Sequence, residues 1–175
     1  MLVYRSTGIN PLVLPSTDDA YGYVGIAFKV LMVACAVVVT GMAFVPNAQS
    51  WLGSIEPLKL IALQWTGWAC LLVSLLWILL AQAQMGTSWR IGIDNENRTA
   101  LVTRGLFTIS RNPIFLSVRK ALLGYFLVVP NAATLAILVA GEIVIQVQVR
   151  LEEKHLSSLH GAEYEEYCKR VSRWL

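Results

Sequence analysis

Arg119 and Glu142 lie inside two apolar runs where a membrane hairpin is expected to be purely hydrocarbon, and further polar residues gather at the ends of those runs. Arg111-Asn112-Pro113 opens the first run, and Arg150, Glu152 and Glu153 close the second. Ionisable groups are costly to hold in or beside a membrane span, so they mark a functional site unless they merely neutralise one another. Guanidinium forks bind carboxylates, and carboxylates accept from cations, so such a cluster can either close on itself or receive a charged ligand. Pro130-Asn131 is the natural turn between the runs. Counted from it, Arg119 lies as far before the turn as Glu142 lies after it. Antiparallel helices therefore bring the two to one depth, roughly 17 Å from the turn at 1.5 Å per residue. The same count sets Arg111 level with Arg150 and puts Asn112 one residue deeper. Along the second run Glu142, Gln146, Arg150 and Glu153 recur at helical spacing and share one face. A polar stripe of this kind lines a hairpin seam or a water-filled pocket. Arg119 with Glu142 reads equally as a structural ion pair fixing helix register and as a substrate or cofactor contact.

The elements that must carry these residues follow from composition. With 56% hydrophobic and only 14% charged residues, the chain is too apolar for an ordinary soluble domain of 175 residues. The fold class is all-α, a polytopic membrane protein with about four spans and a C-terminal helical tail. A net charge of +3 with scattered basic residues does not point to nucleic acid. Cys35 and Cys70 fall in apolar runs, where thiols pack as small hydrophobes, so no disulfide framework is expected. His155 and His160 lack a third ligand, which leaves no metal site. The amino-terminal residues show no short apolar core followed by a cleavage site, so the first apolar run is expected to be a retained span.

Four runs can be placed: about Tyr23 to Val45, about Leu58 to Ala83, about Pro113 to Val129, and about Ala132 to Val149, the last continuing as a charged helix to His160. The third, with Arg119 and Lys120, is marginal as a span by hydropathy. As one integral membrane domain the chain divides into an N-terminal segment 1–22, two spans within 23–84, a loop 85–112, a hairpin 113–150 and a tail 151–175. Arg90, Arg98, Arg104 and Arg111 crowd the loop, and Arg150, Lys154, Lys169, Arg170 and Arg173 follow the hairpin, while the Pro130 turn has no basic residue. Both basic segments, and with them both termini, are expected on the cytoplasmic side. Leu156, Leu159, Tyr164, Tyr167, Val171 and Trp174 form a stripe read as packing or membrane-surface contact, with a break at Gly161. Gly86, Gly92 and Gly105 make no dinucleotide or phosphate-loop pattern.

The stretch Leu101-Val102-Thr103-Arg104-Gly105-Leu106-Phe107, followed by Ser110-Arg111-Asn112-Pro113-Ile114-Phe115, resembles the L-V-T-x-G-x-[YF] and R-H-P-x-[YF] blocks of isoprenylcysteine carboxyl methyltransferases and the related phospholipid methyltransferases. Arg150, Glu152-Glu153, Leu156, Gly161, Glu163-Tyr164 and Tyr167 resemble that family's second block. The likeness covers about the last ninety residues, from near Gly86 and Trp89-Arg90. It implies a membrane methyltransferase using S-adenosyl-L-methionine without a Rossmann domain, in a pocket at the cytoplasmic helix ends, with a lipophilic or amphiphilic acceptor entering from the bilayer. The resemblance gives Glu152 or Glu153 the cofactor's ammonium and Arg111 or Arg150 a carboxylate. Backbone groups around Val102, Gly105 and Phe107 would hold the adenosine end, with Phe107 or Phe115 against adenine, and Leu101, Asn112 and Pro113 complete the implied cofactor-binding set. Arg111, Asn112 and Arg150 are the candidate catalytic residues; Arg119, Glu142 and Gln146 are substrate or structural residues. The chain departs from the pattern at Asn112, which replaces the motif histidine and cannot shuttle a proton near neutral pH. Phe115 likewise replaces the commoner tyrosine. Two other classes remain: a non-catalytic lipid- or partner-binding protein on the same fold, and a small transporter subunit using Arg119 and Glu142.

Overall fold

The computed structural model describes residues 19–86 and 100–175. These residues form helices and no strand. α1 (Ala20–Phe44), the short α2 (Ala48–Trp51), α3 (Ile61–Met85), α4 (Pro113–Val128), α5 (Ala132–His160) and α6 (Ala162–Arg170) follow one another, with 3-10 turns at Glu56–Leu58 and Gly105–Thr108. The segment 1–18, and Trp89, Arg90 and Arg98 of the basic loop, lie outside the described residues.

Each boundary has a local cause. Asp19 caps α1 by accepting from the Gly22 amide at 2.8 Å, and Pro46, which has no N–H to donate, follows its end. Pro113 sits in the first turn of α4, where a missing donor costs nothing. Asn131 begins α5 with a reciprocal cap: its side chain accepts from the Thr134 amide at 2.9 Å, and Thr134 Oγ1 accepts from the Asn131 amide at 3.2 Å. Gly161 divides α5 from α6 with φ +54°, a conformation that strains residues bearing a Cβ.

α1, α3 and α5 are each long and apolar enough to cross a membrane. α4 has 16 residues and carries Arg119 and Lys120, so it falls below the length of a full span; three of the four expected crossings meet the criterion. At 1.5 Å per residue, α5 runs to roughly 43 Å, longer than the ~30 Å hydrocarbon layer. Its apolar part ends at Val149, and Arg150–His160 projects beyond. The surface is inverted relative to a soluble protein. Val33 and Val37 of α1, Trp65, Trp68 and Leu72 of α3, and Ile143 of α5 are exposed, while Ser74, Ser117, Asn131 and Thr134 are buried. Lipid, not water, is the solvent such a surface fits. The chain is an integral membrane protein.

The helices pack α3 against α4, α4 against α5, and α5 against α1. The α3–α4 seam brings two backbones close together. A Cβ placed on Gly67 would stand 2.7 Å from the Gly124 carbonyl oxygen, and one on Gly124 would stand 2.8 Å from that of Gly67. Small residues let two backbones meet where no hydrophobic force separates lipid from protein. At the far end, the Ile55 amide donates to Pro130 O at 3.0 Å and the Ala132 amide to Gly53 O at 2.9 Å, tying the two connections together. At the near end, α6 folds back and buries Tyr164, Tyr167 and Val171 against Leu101, Leu156 and Cys168.

Candidate functional site

Glu153 is the hub of the near end. Projecting from α5 and only 11% exposed, it receives Arg173 through a two-pronged pair, with Nε 3.0 Å and Nη2 2.7 Å from Oε2. Arg111 Nη2 approaches the other oxygen at 3.5 Å, and Asn112 Nδ2 donates to it at 3.3 Å. The bond to Glu153 raises the pKa of Arg173 further. Arg111 also donates to the Cys168 sulfur. Its Nε, by contrast, is buried and has no partner among the described residues.

Main-chain bonds position this cluster. The Arg111 amide donates to Ser172 O at 3.0 Å, and Ser110 Oγ donates to Arg173 O at 3.1 Å. The segment Val171–Leu175 therefore lies along the entry to α4 and delivers Arg173 to Glu153. Tyr167 secures α6 from beneath by donating from its hydroxyl to Phe107 O at 2.6 Å. Burial pushes the Tyr167 phenol up to about 12, against a smaller opposing effect of Arg111, and burial also raises Tyr164. Both stay protonated across the physiological range. Gly105, with φ +62°, turns the 3-10 segment so closely over Gln84 that a Cβ would collide with that side chain. Gln84 Oε1 in turn accepts from the Leu106 amide at 2.7 Å.

Glu152 stands beside this hub with a different environment. It is half-buried, and no hydrogen bond or ion pair reaches it among the described residues. It lies beyond the apolar part of α5, where burial, and then the neighbouring Glu153 charge, push its carboxyl up to about 7. The two adjacent glutamates are thus unequal: one is saturated by the protein and one is bare.

A second polar group runs along the α4–α5 hairpin. Arg119 Nε donates to Glu142 Oε2 at 2.7 Å, so the equal spacing about the turn does bring them to one depth. Gln146 Nε2 donates to Glu142 Oε1 at 2.8 Å, and Arg150 Nη1 donates to Gln146 Oε1 at 2.7 Å. Trp174 lies against Arg119, with the guanidinium carbon 4.4 Å from the ring centroid. Lys120 points the other way, over Trp77 at 5.3 Å.

The structure regroups the sequence candidates. Arg111, Asn112 and Glu153 come together, whereas Arg150 folds back onto its own helix and is exposed. Level placement on antiparallel helices does not make two cations meet, since like charges repel and Gln146 is one turn away. Glu142, Gln146 and Arg150 form one chain of bonds, but Glu153 belongs to the other cluster, where Arg173 holds it. Phe115 packs on Phe28 of α1, with ring centroids 6.4 Å apart. Phe107 and Pro113 are buried, Leu101 packs against the cluster of Tyr164, Tyr167 and Val171, and Val102 is half-buried. Reading the sequence missed Arg173, Cys168 and Ser110 as members of the cluster and took Trp174 for packing or membrane-surface contact. Arg173 was visible only as one more basic residue.

No curated protein and no solved structure matches the chain. A family model does, over residues 62–163, more than half of the sequence; its description is phospholipid methyltransferase. The matched span includes Arg111, Asn112, Arg119, Glu142, Arg150, Glu152 and Glu153, and stops short of Cys168, Arg173 and Trp174. With its all-helical membrane architecture and a polar cluster built on the matched residues, this protein belongs to the phospholipid methyltransferase family.

Proposed function

We propose that this protein transfers a methyl group from S-adenosylmethionine to a lipophilic or amphiphilic acceptor, bearing a carboxylate, thiol or amine, at the cytoplasmic face of the membrane. The observation that carries the reading is Glu152, a half-buried carboxyl with no protein partner beside a saturated Glu153. The residues fit an amino-acid cofactor: a bare acceptor suits its ammonium, and the unpartnered Nε of Arg111 suits its carboxylate. When bound, S-adenosylmethionine supplies an electrophilic methyl.

The protein's own part is placement. Glu153 holds Arg111 and Asn112 at the mouth of α4, so the groups facing the cofactor are fixed before it arrives, and an in-line displacement gains most from such alignment. The turn at Gly105, Leu101 and Val102 borders the cluster and would meet the adenosine end, with Phe107, Pro113 and Phe115 supplying apolar walls. Asn112 keeps a hydrogen-bond donor where the family motif has histidine but cannot move a proton, so a proton released by an amine or thiol acceptor leaves by another route, and an anionic acceptor needs none. Among the described residues, Arg104, Arg111, Arg150, Lys154, Lys169, Arg170 and Arg173 gather toward one end of the bundle, while the Pro130 end has Lys59, paired with Glu56 at 2.6 Å; this imbalance supports a cytoplasmic site.

Titration calorimetry of S-adenosylmethionine into the detergent-purified protein tests the reading. Binding should be weaker at pH 6 than at pH 8, because Glu152 must be ionised to accept an ammonium and protonates as pH falls through about 7. Glu152→Gln should flatten that dependence. Absence of binding by the folded protein would favour a non-catalytic lipid- or partner-binding role.

A further inference from the structure

The charges around Glu153 do not balance. Two guanidinium groups, Arg111 and Arg173, face this one carboxylate, and Asn112 adds only a neutral donor. They share it unequally. Arg173 Nε lies 3.1 and 3.0 Å from the two carboxylate oxygens and its Nη2 lies 2.7 Å from Oε2, whereas Arg111 stands at 3.5 Å and sends Nη1 to the Cys168 sulfur, a weak acceptor. Arg111 is also the more enclosed of the two, 14% exposed against 34%, and its Nε is buried without a partner among the described residues. The surplus positive charge therefore rests on the guanidinium that is better sealed from water, where an uncompensated ion is costly.

Arg173 is delivered to Glu153 by contacts that do not involve its own charge. Ser110 Oγ donates to its carbonyl oxygen at 3.1 Å, the Arg111 amide donates to Ser172 O at 3.0 Å, Val171 is buried with Tyr164 and Tyr167, and the Trp174 ring rests on Arg119. What the side chain adds is occupancy of Glu153. Without it, Glu153 and Arg111, only 3.5 Å apart and both largely buried, would close on one another, since a charge-assisted pair is strongest where water is least. The three-residue cluster would pass from one net positive charge to none. We propose that Arg173 is a positioning residue for the methyl donor: by occupying Glu153 it keeps the Arg111 guanidinium free to hold the donor's carboxylate. This rests on the assignment of S-adenosylmethionine to the site. Arg173 lies outside residues 62–163, which the family model matches, so the role comes from the geometry of this chain.

The test compares two donors by titration calorimetry of the full protein in detergent: S-adenosylmethionine and decarboxylated S-adenosylmethionine, which keeps the sulfonium and the ammonium and lacks only the carboxylate. The native protein should prefer the carboxylate-bearing donor. Arg173→Gln should lose about tenfold of that preference, as expected for one charge-assisted contact, through weaker binding of S-adenosylmethionine with the decarboxylated form nearly unaffected. Both donors meet the same folded fraction, so their ratio is insensitive to any loss of stability. The double variant Arg173→Gln/Glu153→Gln removes the competing carboxylate together with its partner and should restore the preference, which a merely structural brace would not do. Arg173→Lys, which keeps a cation on Glu153, should retain it. A preference unchanged in Arg173→Gln, lost in Arg173→Lys, or not restored in the double variant would overturn the proposal. Equal native affinities for the two donors would overturn it and leave the methyl-donor reading intact, whereas binding of neither donor would refute both.

Discussion

Replacing Glu153 with Gln removes one negative charge from between Arg111 and Arg173 while keeping the side chain's size. Arg111 is 14% and Glu153 11% exposed, so that contact is little screened; Arg173 is 34% exposed and its share is correspondingly weaker. Breaking a buried pair costs about 3 to 5 kcal/mol because the surviving charge stays desolvated. The residual amide acceptor and the exposure of Arg173 bring the expected loss down to about 3 kcal/mol. Glu152→Gln, by contrast, removes a group with no protein partner. It should leave stability unchanged or slightly raised while weakening cofactor binding. The assay is denaturant unfolding of both variants in one detergent, followed by helical signal, with S-adenosylmethionine calorimetry on each at a temperature where both remain folded. If Glu153→Gln unfolds like the native protein, or if Glu152→Gln is the less stable of the two, the division between a saturated and a bare carboxyl is wrong.

At the α3–α4 seam, Gly67→Ala or Gly124→Ala forces a methyl against facing backbone and should destabilise by about 1 to 3 kcal/mol, whereas Gly41→Ala, with nothing within 4 Å, should be neutral or mildly stabilising in the same unfolding assay. Tyr167→Phe should cost about 1 to 2 kcal/mol through the unsatisfied Phe107 carbonyl. Its native phenol keeps a proton in the folded state that the unfolded chain releases at ordinary phenol pKa, so its contribution is intact below about pH 10 and is lost between about pH 10 and 12, up to roughly 2 to 3 kcal/mol. An alkaline unfolding series on native protein and variant should show a shallower decline for Tyr167→Phe.

The helices were legible because their signals are local and redundant. Apolar runs, Pro113 at a helix start, the Pro130-Asn131 turn and the break at Gly161 fixed α1, α3, α4 and α5 to within about three residues. The Arg119–Glu142 pair was legible for a related reason: two helices meeting at a tight turn have only one register. Short helices such as Ala48–Trp51, shorter than any hydrophobic period, left no trace. The hub at Glu153 was half hidden. Its own position could be counted along α5, but Arg173 reaches it only after α6 has reversed the chain at Gly161 and Tyr167 has docked on Phe107, and no periodicity encodes that fold-back. Arg150 misled for the opposite reason. Helical geometry placed it on the correct face, but its bonds to Gln146 are satisfied within one helix, and spacing cannot tell an inward cation from one turned onto its own backbone.

The tie between Ile55 and Pro130 has a mechanical meaning. Main-chain hydrogen bonds rivet the hairpin at that extremity, where Asn131 and Thr134 are fully buried, whereas the opposite extremity adds to its main-chain bond between Arg111 and Ser172 a set of side-chain charges that an incoming molecule can trade for its own. The two tips are thus closed by different means, one by backbone and the other largely by charge. A widening that admits an acyl chain would then pivot about Pro130 and be greatest at Arg111, so bulky substitutions around Gly53 would be felt some 30 Å away, about the thickness of the hydrocarbon layer.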